Sequence, residues 1–357
     1  MAENEKFNEA SMADALRPGA VLLAPLVVLD SQFEAGARGR RADARITVGL
    51  PGESATYRFV VESKRRATPQ AVQLAVAEAR AAADDDELPM ILVPYLSPER
   101  LAELERQEVS GVDLCGNGIV LVPGRLLVLR SGQPNKYRDS RPLSNPYRGR
   151  SAMVARLLLT RPRWESLKEL TAAIEKAGTK LAPSQVSKAI QALEEELVVA
   201  TKSRVITLQD PSRLLDGLAD SWRPPVARAR RAVRLPEGAS WWRPLSSSSS
   251  VAWAVTGESS APRYVTFAQA GPTRLAVSSI ETAVALLGGA PESVPNFADV
   301  ELIETDETGR FFDCQIDERG ARWASPLQTW LELQSGDARQ RDAAVDLRAT
   351  ILEGAKQ

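Results

Sequence analysis

The chain has 357 residues, 44% of them hydrophobic, with 45 Lys/Arg against 46 Asp/Glu and no histidine. That length can bury two or three cores of ordinary domain size, and three domains are expected. Without histidine there is no Ser-His-Asp triad, Cys-His pair, HExxH zinc site or imidazole general base, so any catalysis must rest on carboxylates, lysine and magnesium. No run approaches the roughly 18 apolar residues of a membrane span. The polar, acidic start MAENEKFNEA has neither the basic nor the apolar region of a signal peptide. A cytoplasmic location with no membrane partner is therefore expected. Cys115 and Cys314 lie far apart, neither in a CxxC pair, and read as buried small hydrophobes.

The fold class expected is a multidomain α/β (α+β) chain. Residues 1–132 make its first domain, whose legible part starts at residue 43. DARITVGL and TYRFVVESK are strand-like, ATPQAVQLAVAEARAAA is an alanine-rich helix and MILVPYL is a short apolar strand. SPERLAELERQ is a capped helix, and VDLCGN, GIVLVP and RLLVLRSG are three short β runs separated by Gly and Pro. Glu62 and Lys64 sit two apart on a strand and so project from one face, with Asp43 starting the preceding strand. This outline resembles the PD-(D/E)XK site of restriction-endonuclease-like folds. The resemblance implies that Asp43 and Glu62 hold Mg2+, that Lys64 positions or activates water, and that Gln70 or Gln73 adds a polar group to the ligand shell. Asp43 is preceded by alanine where the pattern has proline. An exposed cross-strand ion pair accounts for Glu62 and Lys64 equally simply.

From Gln133 to Arg234 the charge changes character. Twenty Lys/Arg face ten Asp/Glu there, a net of +10 in a chain whose total is −1. A polyanion responds to such a local field, whatever the whole-chain balance. Two arginine-rich, proline-containing linkers, 133–150 and 224–239, are expected to stay extended and to follow a nucleic-acid groove, or simply to be solvated. Between them, residues 151–223 read as a winged helix-turn-helix. SAMVARLLLT and the segment Glu165 to Ala177 are short amphipathic helices. Ser184 then reads as the N-cap of SQVSKAIQALEEELV, with Val186, Ile190, Leu193 and Leu197 as the buried stripe. Ser184, Gln185, Ser187, Lys188 and Gln191 are the candidate groove-reading face. Gln and Lys reach base edges, and Ser and Lys hold phosphates. VVATKSRVITLQD reads as a wing with Lys202 and Arg204 against the backbone or minor groove. Double-stranded DNA is the expected partner and needs no cofactor. A winged helix used only for protein contacts is the competing reading, since Glu194 to Glu196 close the third helix.

Residues 240–357 form the third expected domain, α+β in pattern. VAWAVTG, RYVTFAQ, TRLAV, VELIET and FFDCQID are strand-like, and SIETAVALLG and ARQRDAAVDLRATIL are helical. Gly288-Gly289 and Asp299-Val300-Glu301 match the glycine pair and acidic couple of nucleotidyltransferases on paper. The plain reading is a helix stop, a loop and a strand. Trp241, Trp242, Trp323 and Trp330 read as packing anchors.

The order of these parts resembles the AbiEi-family antitoxins of type IV toxin-antitoxin systems. The phrases that carry it are Asp113 to Asn117 (Asp-Leu-x-Gly-Asn), Asp210-Pro211 followed by Leu214-Leu215, and Ser325-Pro326-Leu327-Gln328 with Leu331 and Leu333. The resemblance covers nearly the whole chain. It implies a transcriptional repressor that binds its own operator and opposes a nucleotidyltransferase-like toxin, with a homodimer as the usual form. Compact members of that family begin at the winged helix, so the nuclease-like front is a departure. The alternatives are an Mg2+-dependent nuclease targeted by its winged helix and an antitoxin that acts through protein contacts alone.

Overall fold

A computed structural model describes residues 9–33, 41–137, 145–224, 227–269, 271–291 and 297–355. The chain divides into two compact units, Met1–Leu143 with Glu195–Leu197, and Ser144–Glu194 with Val198–Gln357. Both are mixed α/β.

In the first unit, α1 (Glu9–Ala15) is followed by β1 (Val21–Leu23), β2 (Leu26–Phe33), β3 (Ala44–Gly49) and β4 (Thr56–Ser63). Then come α2 (Pro69–Ala82), β5 (Leu88–Val93), α3 (Pro98–Arg106), β6 (Ser110–Asp113), β7 (Gly118–Val122) and β8 (Leu126–Arg130). The eight strands form one sheet in sequence order. The pairs β4–β5 and β5–β6 are parallel and the others antiparallel. The parallel pairs are where α2 and α3 intervene, because a tight turn cannot return a strand in the same direction. The run Met90-Ile91-Leu92-Val93 is apolar throughout because both faces of β5 are covered. Met90 and Leu92 pack with Ile46, Val48 and Phe59 on one side, and Ile91 and Val93 with Val72, Val76 and Leu104 on the other. The first 42 residues carry α1, β1 and β2, which the sequence reading does not assign.

The second unit opens with α4 (Ala152–Thr160), β9 (Arg163–Trp164), α5 (Leu167–Lys176) and α6 (Pro183–Glu195). β10 (Val199–Lys202), β11 (Val205–Leu208) and α7 (Pro211–Ser221) follow these helices. The rest comprises β12 (Arg230–Arg234), α8 (Trp242–Ser246), β13 (Trp253–Val255), β14 (Thr273–Val277) and α9 (Ile280–Leu287). It ends with β15 (Ala290–Pro291), β16 (Val300–Glu304), β17 (Gln315–Ile316), β18 (Arg322–Trp323), α10 (Pro326–Gln334) and α11 (Ala338–Gly354). Strands β9 to β11 make a small sheet in the order β10-β11-β9. The other seven make a mixed sheet in the order β15-β12-β16-β14-β13-β18-β17, with α9 in its core.

Several expectations are corrected here. Residues 151–223 and 240–357 are not separately packed: Leu158, Leu214 and Leu218 share one core with Trp330, Leu331, Leu347 and Ile351. Polar bonds cross the same seam. The buried Arg156 on α4 donates to Gln328 Oε1 (2.8 Å) and to the Gly309 carbonyl (3.3 Å). Gln328 donates to Glu332 (2.6 Å), and Glu332 also accepts from Thr256 and pairs with Arg310 at 3.4 Å. Burial holds Arg156 below the usual arginine value, at about 10, against the opposing pull of Glu307 and Glu332.

The second linker is likewise no arm: Arg230–Arg234 is a strand paired with β16 and β15. Arg230 is spent on Glu301 (3.1 Å) and Arg228 on Asp306 (2.7 Å). The first linker is anchored at both described ends. The Gln133 amide donates to Asn117 Oδ1 (2.8 Å), and Tyr147 lies so close to α7 that a Cβ at Gly217 would meet its ring at 2.6 Å. Residues 138–144 and 225–226 of the two linkers lie outside the described residues. RYVTFAQ is not a strand, because Val265 and Phe267 pack against the helical core instead. FFDCQID contributes only Gln315–Ile316.

Four helices open alike, with a capping side chain followed by proline: Thr68-Pro69, Ser97-Pro98, Asp210-Pro211 and Ser325-Pro326. The cap satisfies a free amide of the first turn, and proline sits where no amide partner is needed. Asp210-Pro211 and Ser325-Pro326 are therefore helix starts. Asp113 to Asn117 is a buried staple. Asp113 accepts from the amides of Leu96, Cys115 and Asn117 (2.8 Å each) and from Asn117 Nδ2 (2.7 Å).

Candidate functional site

The segment from α4 to α7 is built on an apolar seam. Val186, Ala189, Ile190 and Leu193 of α6 are buried, while Ser184, Gln185, Ser187, Lys188 and Gln191 are exposed. The 3.6-residue period puts these exposed positions on the opposite side of the helix. The helix begins one residue earlier than expected, at Pro183, so Ser184 lies inside its first turn and is not the cap. Gln185 takes over that task, its Oε1 accepting from the Ala182 amide at 3.0 Å, as in a capping box. Lys188 has no ion-pair partner among the described residues.

β10 and β11 form a hairpin with a two-residue turn, Lys202 paired to Val205 and Ser203-Arg204 at the tip. Both tip residues have positive φ, 49° and 73°. That geometry matches the strand twist and favours Asn-Gly. Ser-Arg in its place costs about 1 kcal/mol per residue, so the tip keeps an arginine at the expense of stability. Lys202 and Arg204 are exposed, with no ion-pair partner among the described residues. Replacing Ser203-Arg204 with Asn-Gly is expected to raise stability by about 1 kcal/mol in thermal denaturation. A loss of stability in that variant would show that the turn holds no strain.

In the first unit, the register Ala44↔Val61 continues to place Asp43 opposite Glu62. Asp43 Oδ2 accepts from the Ser63 amide (2.8 Å) and hydroxyl (2.7 Å). Glu62 is buried, and its pKa rises to about 7. Burial is the main cause and the Asp43 charge comes next, with Lys64 opposing and Glu78 adding to the rise. Lys64 Nζ lies 4.0 Å from Glu62 and 2.5 Å from Glu78 Oε2. The structure thus brings Asp43, Glu62 and Lys64 together and adds Glu78 of α2. The expected helix contributors, Gln70 and Gln73, are exposed. Glu78 has a legible signal only in retrospect, as a carboxylate on the helix that follows the Glu-x-Lys strand.

Glu62 titrates above its unfolded value of 4.5, so its protonated form favours folding. That contribution is complete below pH 4.5 and is lost as pH rises through about 7. Glu62→Gln is expected to stabilise the protein by about 1–2 kcal/mol at pH 8 and to change little at pH 4.5. Urea denaturation at the two pH values measures this, and equal effects at both would contradict it.

No group of three His, Cys, Asp or Glu side chains placed to hold a metal ion occurs among the described residues. What a divalent cation would find is the pair Asp43 and Glu62, whose mutual repulsion it would relieve. Mg2+ is often held by one or two carboxylates plus water and substrate phosphate, so the pair fits it as a minimal site.

The nucleotidyltransferase-like pattern resolves into structural parts. Gly288 is the left-handed C-cap of α9 (φ 62°), Asp299 accepts from the Leu235 amide and Glu301 is paired with Arg230 and Arg274. The tryptophans pack. Trp330 is fully buried, and Trp241 meets Trp242, Trp253 and Trp323 edge to face at 5.4, 6.1 and 6.4 Å.

Among the described residues no helix is long and apolar enough to cross a membrane. No protein-family model matches the chain, and no curated protein matches it.

Proposed function

We propose that the chain is a DNA-binding transcriptional regulator of the AbiEi antitoxin type, which represses its own operon and counters a nucleotidyltransferase-like toxin. One observation carries the DNA reading. Gln185, Ser187, Lys188 and Gln191 lie exposed on α6, opposite its buried stripe, while Lys202 and Arg204 lie exposed on the neighbouring hairpin. Such a helix fits the major groove, and such a hairpin fits the adjacent phosphates or minor groove. In this reading Gln185, Lys188 and Gln191 read base edges, Ser184 and Ser187 fix the helix on phosphates, and Lys202 with Arg204 grips the backbone.

The test is binding to duplex DNA from upstream of the protein's own gene across a salt series. Lys188→Ala with Arg204→Ala is expected to weaken binding by about tenfold or more and to reduce the slope of log K against log salt by about two. An unchanged affinity and slope would remove this docking. The antitoxin part is tested separately, by whether the protein relieves growth arrest caused by a nucleotidyltransferase-like gene next to its own.

A second reading, an Mg2+-dependent nuclease, is supported by one feature of the first unit: Asp43 bonds to Ser63 beside Glu62, and Lys64 Nζ lies 4.0 Å from Glu62. When bound, Mg2+ would supply polarisation of a phosphodiester. Asp43 and Glu62 would hold it. Lys64, at present held by Glu78, would orient water or phosphate. Magnesium-dependent nicking of plasmid DNA that Glu62→Ala and Lys64→Ala both abolish would establish this reading. No nicking would leave the unit a binding or structural module.

A further inference from the structure

The second unit contains a cavity of about 630 Å3. One wall comes from Tyr147–Arg150 and Ala152 at the start of α4, the turn Gly178–Lys180 between α5 and α6, and the end of α7. The other is the loop Asp306–Gly309 after β16. A hydrogen bond between the Thr179 and Thr308 hydroxyls, at 2.9 Å, ties the two walls. The cavity falls in the size range of small-molecule sites.

Its charge is lopsided. Arg148, Arg150 and Lys180 are exposed at this cavity, and none has an ion-pair partner among the described residues. Arg223 is fixed there by donating to the carbonyls of Asp220 and Trp222 at 2.8 and 2.7 Å. Two acids face these cations. Asp306 is already paired with Arg228 at 2.7 Å, and Glu307 leans towards Arg310 at 3.9 Å. Three exposed cations around one concave space, with no ion-pair partner among the described residues, make a local positive potential, which concentrates multivalent anions. Guanidinium groups match phosphate oxygens in both charge and fork geometry.

We propose that this cavity binds a small phosphate-type anion, of pyrophosphate to nucleotide size, and that occupancy alters the engagement of DNA by α6. The coupling follows from position, since Gly178–Lys180 is both a wall of the cavity and the turn that leads into α6. A ligand that orders this turn changes the free energy of presenting the exposed face of α6. The coupling rests on the DNA-binding reading given above, whereas the anion site does not.

The experiment uses full-length protein and inorganic pyrophosphate, followed by isothermal titration calorimetry at low salt without DNA. Saturable binding with Kd below about 1 mM is expected. Arg150→Glu with Lys180→Glu, both at exposed positions, is expected to weaken it by about tenfold or more. Circular dichroism of the variant verifies that it is folded, and Arg148→Ala gives a milder second variant with the same expected direction. Absence of saturable binding, or equal binding by wild type and both variants, overturns the site.

Duplex DNA distinguishes the other source of phosphate. If the double variant loses DNA affinity with a smaller salt slope while pyrophosphate does not bind the wild type, the cavity rim is a backbone contact and the proposal fails. If pyrophosphate binds, ten times its Kd at constant ionic strength is expected to shift duplex affinity about threefold or more in the wild type alone. No shift overturns the coupling. Pyrophosphate binding without any DNA binding upholds the anion site and removes the regulator reading.

Discussion

Asp113→Ala is expected to destabilise the first unit by about 3–5 kcal/mol. The carboxylate is 5% exposed and accepts four hydrogen bonds, three of them from backbone amides. Alanine leaves those donors in a space the surrounding chain has closed, and an unsatisfied buried donor costs about 1–3 kcal/mol. Water entering the vacated space recovers part of this, which sets the lower end of the range. Asp113→Asn keeps the shape but turns an NH2 group towards some of the donors, so an intermediate loss is expected. The distribution of tryptophan makes the measurement selective. All seven tryptophans lie between Trp164 and Trp330. Their fluorescence therefore reports the second unit, whereas far-ultraviolet circular dichroism reports both. The expected signature is an early loss of dichroism without loss of tryptophan signal. A dichroism profile like that of the wild type would mean that Asp113 is not the staple its hydrogen bonds describe.

The second large effect is expected at Arg156. Arg156→Met keeps most of the volume but removes the cation that Gln328 and the Gly309 carbonyl depend on, and it leaves Glu332 with Arg310 as its remaining cation. Breaking a buried network by deleting one partner costs about 3–5 kcal/mol. Here the tryptophan-detected transition should move to lower urea. Arg156→Lys should rescue little, because an ammonium cannot reproduce the planar fork that reaches both acceptors. If lysine restored full stability, charge alone would suffice and the geometry of the fork would be immaterial.

Particular residues explain what the sequence disclosed. The exposed face of α6 was legible because Val186, Ile190 and Leu193 repeat at helical spacing, and solvent takes what the stripe leaves over. Asp43, Glu62 and Lys64 were legible because alternation along β4 and pairing with β3 are both local. Glu78 was not, since its bond to Lys64 depends on how α2 lies across the sheet. β12 was hidden by composition. RRAVR between prolines looks like a solvated arm, but Val233 is fully buried and Arg230 has a glutamate to meet. RYVTFAQ erred in the opposite direction, as aromatic and β-branched residues suit any half-buried surface and here meet helices. The shared core was written into α10, where Leu327, Gln328, Thr329, Trp330, Leu331 and Leu333 are all buried. A helix covered on every side cannot belong to the edge of an independent domain.

That shared core also decides where the chain can be cut. Here Leu158, Leu214 and Leu218 share their core with Trp330 and Leu347, residues more than a hundred positions downstream of α7. A fragment cut after Trp222 would carry an open apolar face into solvent, and a graft of residues 151–223 onto another scaffold would do the same. Residues 151–223 therefore depend on the distant carboxy-terminal helices for the burial of their own apolar side chains.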